Sequence, residues 1–66
     1  MTIQFLDNDG FLLRQLNVED GVRIHVPRIK ERVEIKDKMY NVNGVTSVFN
    51  GPFTTVPTVV VQLKRV

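Results

Sequence analysis

Apolar and polar residues alternate one for one along Arg32-Val33-Glu34-Ile35-Lys36, and again along Tyr40-Asn41-Val42. A period of two puts alternate side chains on opposite faces of an extended strand, so Val33 and Ile35 share one buried face. Asp37-Lys38 interrupts the first run, and the two runs predict a hairpin with its turn there. No segment of the chain shows the 3.6-residue periodicity of an amphipathic helix. The sequence therefore predicts an all-β fold.

The same pattern recurs on both sides. Thr2–Leu6 reads as a strand with Ile3 and Phe5 on one face. Asp7-Asn8-Asp9-Gly10 is a turn, in which glycine supplies positive φ and the Asx side chains bond nearby amides. Phe11–Leu16 returns as a second strand, with Phe11 and Leu13 on one side and Leu12 and Leu16 on the other; a short helix over Leu12–Val18 is the alternative, and the turn signals on both sides favour the strand. Glu19-Asp20-Gly21 turns again. Val22-Arg23-Ile24-His25-Val26 alternates, with Arg23 and His25 outward, and Pro27 ends it because proline cannot donate to a ladder. Asn43-Gly44 reads as a bulge in one long bent strand from Met39 to Phe49 rather than as a tight turn, glycine being a common corner residue in small barrels. Asn50–Pro57, with its prolines and glycine, is irregular. Thr58–Val66 is the last strand, with Val59, Val61 and Leu63 on one face. The expected core is Val33, Ile35, Tyr40, Val42, Val59, Val61 and Leu63. Five or six short strands bounded by turn signals predict a small barrel formed as a single domain over residues 1–66.

A chain of 66 residues buries only about 60% of its unfolded surface, and such a core supplies about 3–5 kcal/mol of net stability. Cysteine is absent, so neither a disulfide nor a cysteine-ligated zinc supports the fold. Absence of cysteine fits a reducing compartment. With no basic leader at the N-terminus and no apolar run near the ~18 residues that span a bilayer, the expected location is the cytoplasm.

Catalytic chemistry finds little to work with. Ser47 is the one serine and His25 the one histidine, and nothing around them forms a nucleophile–base motif. His25 reads as a surface residue. Asp7-x-Asp9-Gly10 fails as a calcium loop, because its glycine comes too early and Val18 stands where the last ligand belongs. The glycines are scattered singly, so no phosphate-binding loop exists. No cofactor, metal or small-molecule substrate is expected, and the chain reads as a non-enzymatic binder.

Net charge is only +2, but its distribution is uneven. Asp7, Asp9, Glu19 and Asp20 dominate the beginning. Arg23, Arg28, Lys30, Arg32, Lys36 and Lys38 dominate residues 23–38, interleaved with Glu31, Glu34 and Asp37. The binding residues expected are Arg28, Lys30 and Arg32 in the basic segment, Phe53 in the irregular loop, and Leu12 and Leu16 on the second strand. Phe11–Leu16 has too many apolar residues for one face. The expected outcome is an exposed patch of Leu12, Leu16 and Leu6 that docks another protein or a second copy of the chain. The alternative is nucleic acid held by segment 23–38, with Tyr40, Phe49 or Phe53 as stacking platforms.

The order Pro27-x-Ile29-x-Glu31-x-Val33-x-Ile35, followed by Tyr40-x-Val42 and Val45, resembles a pattern of short SH3-like barrel proteins, many of them small proteins of phages and related mobile elements of Gram-positive bacteria. The resemblance covers the central half of the chain. Lys30 stands where that pattern usually carries glycine. The resemblance implies a small SH3-like barrel of five to six short antiparallel strands. It also implies a binding role, such as that of a phage-encoded accessory or inhibitor protein, and it brings no catalytic residues.

Overall fold

The computed structural model describes residues 1–19, 24–48 and 58–66. They form an all-β structure with no helix. The strands are β1 (Thr2–Leu6), β2 (Leu12–Asn17), β3 (Arg32–Ile35), β4 (Lys38–Val48) and β5 (Thr58–Arg65). They make one sheet in the order β2-β1-β5-β4-β3, curled almost into a closed barrel. β1–β2, β3–β4 and β4–β5 pair antiparallel, whereas β1 runs parallel to β5. The sheet is thus mixed where antiparallel strands alone are expected from sequence. The reason is topological: the last strand inserts between the two hairpins, and its direction is set by β4.

Alternation explains which residues are buried. Ile3, Phe5, Ile35, Tyr40, Val42, Val59, Val61 and Leu63 form the core. Val33 is half-buried and packs against it. Ile3 pairs across the sheet with Val59, Phe5 with Val61 and Val42 with Leu63. β5 is central and contributes Val59, Val61 and Leu63, with Val61 at 0% exposure. Burying each such aliphatic side chain stabilises the fold by about 1.5–3 kcal/mol.

Two bulges set the faces. In β4 the register against β5 shifts between Val42 and Gly44, so the chain is one long strand through Asn43-Gly44, as expected. The extra residue moves the inner face from Tyr40 and Val42 to Val45, which sits opposite Val61. The second shift lies between Phe5 and Leu6 of β1, where Arg14 opposes Phe5 but Leu12 opposes Leu6. It places one extra residue, Leu13, in β2. Leu13 and Leu16 both pack against the core, while Leu12 is 54% exposed. Phe11 is also exposed, contrary to the expected pairing of Phe11 with Leu13 on one face.

The turns are chemically distinct. Asp7 Oδ1 accepts the amides of Asp9 and Phe11, each at 2.9 Å, and Gly10 has φ +87°. The first hairpin is therefore closed by an Asx carboxylate and a glycine. The second hairpin turns on Lys36-Asp37, one residue earlier than expected, with Ile35 opposite Lys38. Both turn residues have positive φ, 50° and 65°. A two-residue turn of this mirror-image kind matches the twist of the flanking strands, and that advantage outweighs the strain on side-chain-bearing residues.

The alternating run 22–26 is the clearest departure. Val22 and Arg23 lie outside the described residues, but Ile24, His25 and Val26 are not strand. β2 and β3 are the opposite edges of the sheet, and residues 24–26, on the connection between them, pair with neither. Val26 packs on the core, and His25 stays outside. The turn expected at Glu19-Asp20-Gly21 and the irregular stretch Asn50–Pro57 fall largely or wholly outside the described residues.

Candidate binding surfaces

The connection between β2 and β3 ends in a tight turn over Arg28-Ile29-Lys30-Glu31. The Glu31 amide donates to the Arg28 carbonyl at 3.0 Å, and Lys30, the third residue, has φ +76°. This is a turn of the type II kind, whose third position favours glycine. The turn is anchored to β4. The Lys30 amide donates to the Val42 carbonyl at 3.1 Å, and the Val42 amide donates to the Glu31 carbonyl at 2.8 Å.

The Glu31 carboxylate ties the segment together. Its Oε1 accepts the Arg28 amide at 2.7 Å, and the carboxylate meets His25 Nε2 at 3.1 Å. These contacts hold the Glu31 carboxyl below the ordinary glutamate value. The amide of Arg28 is the main cause, followed by the hydrogen bond from His25. His25, read from sequence as a surface residue, is exposed and is the partner of this carboxylate.

Between this connection and β4 runs an open cleft. Ile24, Val26, Pro27, Ile29 and Val45 supply its apolar wall, and His25 and Arg28 its polar rim. Ile29 is 59% exposed, and Ile24 and Val45 are also exposed. Val45 is on the core side of the sheet, opposite Val61, so the cleft is an opening onto that face. Arg28 and Lys30 are exposed on the turn, and Arg32 is exposed at the start of β3. Among the described residues the one ion pair is His25–Glu31.

The sequence-predicted residues thus separate into two places. Arg28 lines the cleft, Lys30 follows the wall residue Ile29 in the turn, and Arg32 is on the outer face at the start of β3. Leu12 is at the other hairpin, paired with Leu6 and near exposed Phe11. Leu16 leaves the expected outer patch, because the β2 bulge turns it onto the core. Phe53 and Phe49 lie outside the described residues. Tyr40 is buried, with the Arg65 guanidinium 5.9 Å from its ring centroid, so it offers no free face for stacking.

Ile24, Ile29 and Val45 were not among the binding residues expected from the sequence. Ile24 stands in an alternating run and reads as inward-facing, and Val45 enters only through the resemblance. Ile29 did carry a signal, being a lone aliphatic between Arg28 and Lys30 in a connection. Among the described residues no three His, Cys, Asp or Glu side chains come together as a metal site, and no helix is long and apolar enough to cross a membrane. No family model matches the chain, and neither a curated protein nor a solved structure was found similar to it.

Proposed function

We propose that this protein is a non-enzymatic binding module of the cytoplasm that works by docking another protein in the cleft beside the 28–31 turn. The observation that carries the reading is the cleft itself: exposed Ile24, Ile29 and Val45, with the exposed cation Arg28 on its rim and exposed Lys30 next to Ile29 in the turn. An apolar centre with a charged rim is the anatomy of a protein interface. The rim selects for a segment that pairs an aliphatic anchor with Asp or Glu.

Single-stranded nucleic acid is the competing reading for the same cations. It is less favoured because Glu31 stands among them, bonded to His25, and because Tyr40 is buried. Stacking platforms beside a basic groove are what single-strand binding requires. The resemblance to small SH3-like barrel proteins of phages fits a binding role. Lys30 supports that resemblance, since it takes the positive φ that glycine supplies in the pattern.

The test is a titration of an acidic peptide with one central leucine, and separately of an oligothymidylate, followed by amide chemical shifts. The peptide should perturb Ile29, Lys30 and Val45, and both Ile29→Asp and Arg28→Glu should weaken it. Tighter binding of the oligonucleotide, lost on Arg28→Glu but kept in Ile29→Asp and falling steeply with salt, would replace the protein reading with the nucleic-acid one.

A further inference from the structure

The β2 edge offers a second surface, separate from the cleft. Met1 and Val18 exchange bonds with each other, the Val18 amide to the Met1 carbonyl at 2.7 Å and the Met1 amine to the Val18 carbonyl at 3.0 Å. Bonded and non-bonded pairs alternate along an antiparallel ladder. Ile3–Leu16 and Phe5–Arg14 are therefore bonded pairs, and Thr2–Asn17 and Gln4–Gln15 are not. It follows that the backbone N–H and C=O groups of Gln15 and Asn17 point away from β1. Among the described residues β2 pairs with β1 alone.

The two residues that carry the outward groups, Gln15 and Asn17, do not guard this edge with charge, and the one charge in β2 is Arg14. Gln15 and Asn17 are neutral and are engaged sideways with β1, Gln4 Nε2 donating to Gln15 Oε1 at 3.1 Å and Thr2 Oγ1 to Asn17 Oδ1 at 3.3 Å. The opposite edge differs. Its two-residue turn makes Ile35–Lys38 a bonded pair, so Arg32 and Glu34 carry the outward groups of β3. Charged residues on an edge discourage strand addition, and neutral amides do not.

We propose that β2 pairs antiparallel with β2 of a second copy, about a two-fold axis through Leu16. Only registers that bring outward groups face to face are allowed, and they can be compared by charge. Centring on Arg14 sets like charges directly opposite, which is unfavourable. Centring on Gln15 sets Arg14 against Leu16. Centring on Leu16 sets leucine on leucine and Arg14 opposite Val18 as non-bonded pairs, and Gln15 opposite Asn17 twice, these two pairs exchanging both backbone bonds. Leu16 is half-buried on the core side, and its counterpart covers the remainder. The contact is isologous and closes after two copies.

Sedimentation equilibrium up to high micromolar concentration should show a monomer–dimer equilibrium; a monomer throughout overturns the proposal. Gln15→Pro removes an amide that bonds to none of the described residues, and proline is tolerated on an edge. It should keep the β spectrum and lower the association constant by about tenfold or more. Unfolding by Gln15→Pro would show that this amide bonds to β1, and undiminished dimerisation would show that the edge is not the contact; either overturns the proposal. The chain has no cysteine, so the register can be read by oxidation. A mixture of Gln15→Cys and Asn17→Cys chains should cross-link, and neither should cross-link alone. Self-linking of Gln15→Cys would overturn the Leu16-centred register.

Discussion

Lys30 holds a left-handed backbone with φ +76° at the third position of the 28–31 turn. A side chain there costs about 1–2 kcal/mol, and glycine returns part of that gain through its freer unfolded state. Lys30→Gly should therefore raise stability by about 0.5–1 kcal/mol, read as a higher denaturant midpoint. A lower midpoint would mean that the turn does not need positive φ. Glu31 gives a pH signature. Its folded carboxyl titrates below the ordinary glutamate value, so its contribution is present above the unfolded value and is lost as pH falls through the folded one. Stability should decline across that acidic window. Glu31→Gln, which keeps an oxygen for the Arg28 amide but removes the charge, should flatten the decline. An unchanged pH profile in Glu31→Gln would assign the decline to other carboxylates.

At the scale of the strand, position relative to a bulge decides more than residue type. Leu63 in β5 is 1% exposed and Leu12 in β2 is 54% exposed, though both are leucines in alternating runs. Leu63→Ala should cost about 2–5 kcal/mol, comparable to the whole stability of so small a domain. Leu12→Ala should stay within about 0.5 kcal/mol of the parent. Equal losses in thermal melts would refute the β2 register. The β4 bulge has its own test. A Cβ on Gly44 would meet Gln62 Oε1 at 2.7 Å, but that oxygen is the end of a flexible side chain. Gly44→Ala should be mildly destabilising, and Gln62→Ala in the same chain should relieve most of the loss. Additive effects of the two changes would place the strain elsewhere.

For the whole molecule, β5 is the hinge of the architecture. It is the one strand paired with both β1 and β4 and so joins the first hairpin to the second. A chain ending at residue 57 should lose the cooperative fold and give the amide spectrum of an unfolded polypeptide. Persistence of dispersed β4 amides would show that the second hairpin folds without it. The β1–β5 ladder pairs Thr2 with Thr58 and Phe5 with Val61, contacts between distant parts of the chain. Folding should accordingly fall in the millisecond-to-second range seen for sheets of non-local pairing, as measured by stopped-flow fluorescence of Tyr40.

Local chemistry determined much of this protein directly from its sequence. Period-two runs marked four of the strands' inner faces, Asp7 and Gly10 marked the first turn, and Asn43-Gly44 marked the bulge. These features depend on a few neighbouring residues and on backbone sterics, so they can be read along the chain. What depends on partners far away in sequence could not be read. Ile24 to Val26 alternates like a strand, but it lies on the connection between the two sheet edges and pairs with neither. Leu16 faces the core because β1 has one residue fewer opposite Leu13. The parallel partner of β1 is set by where β5 inserts. Arg28, Lys30 and Arg32 were legible as a basic run, but the cleft that Arg28 lines was not. Its apolar wall comes from Ile24, Ile29 and Val45, and only the closing of the sheet brings those residues together.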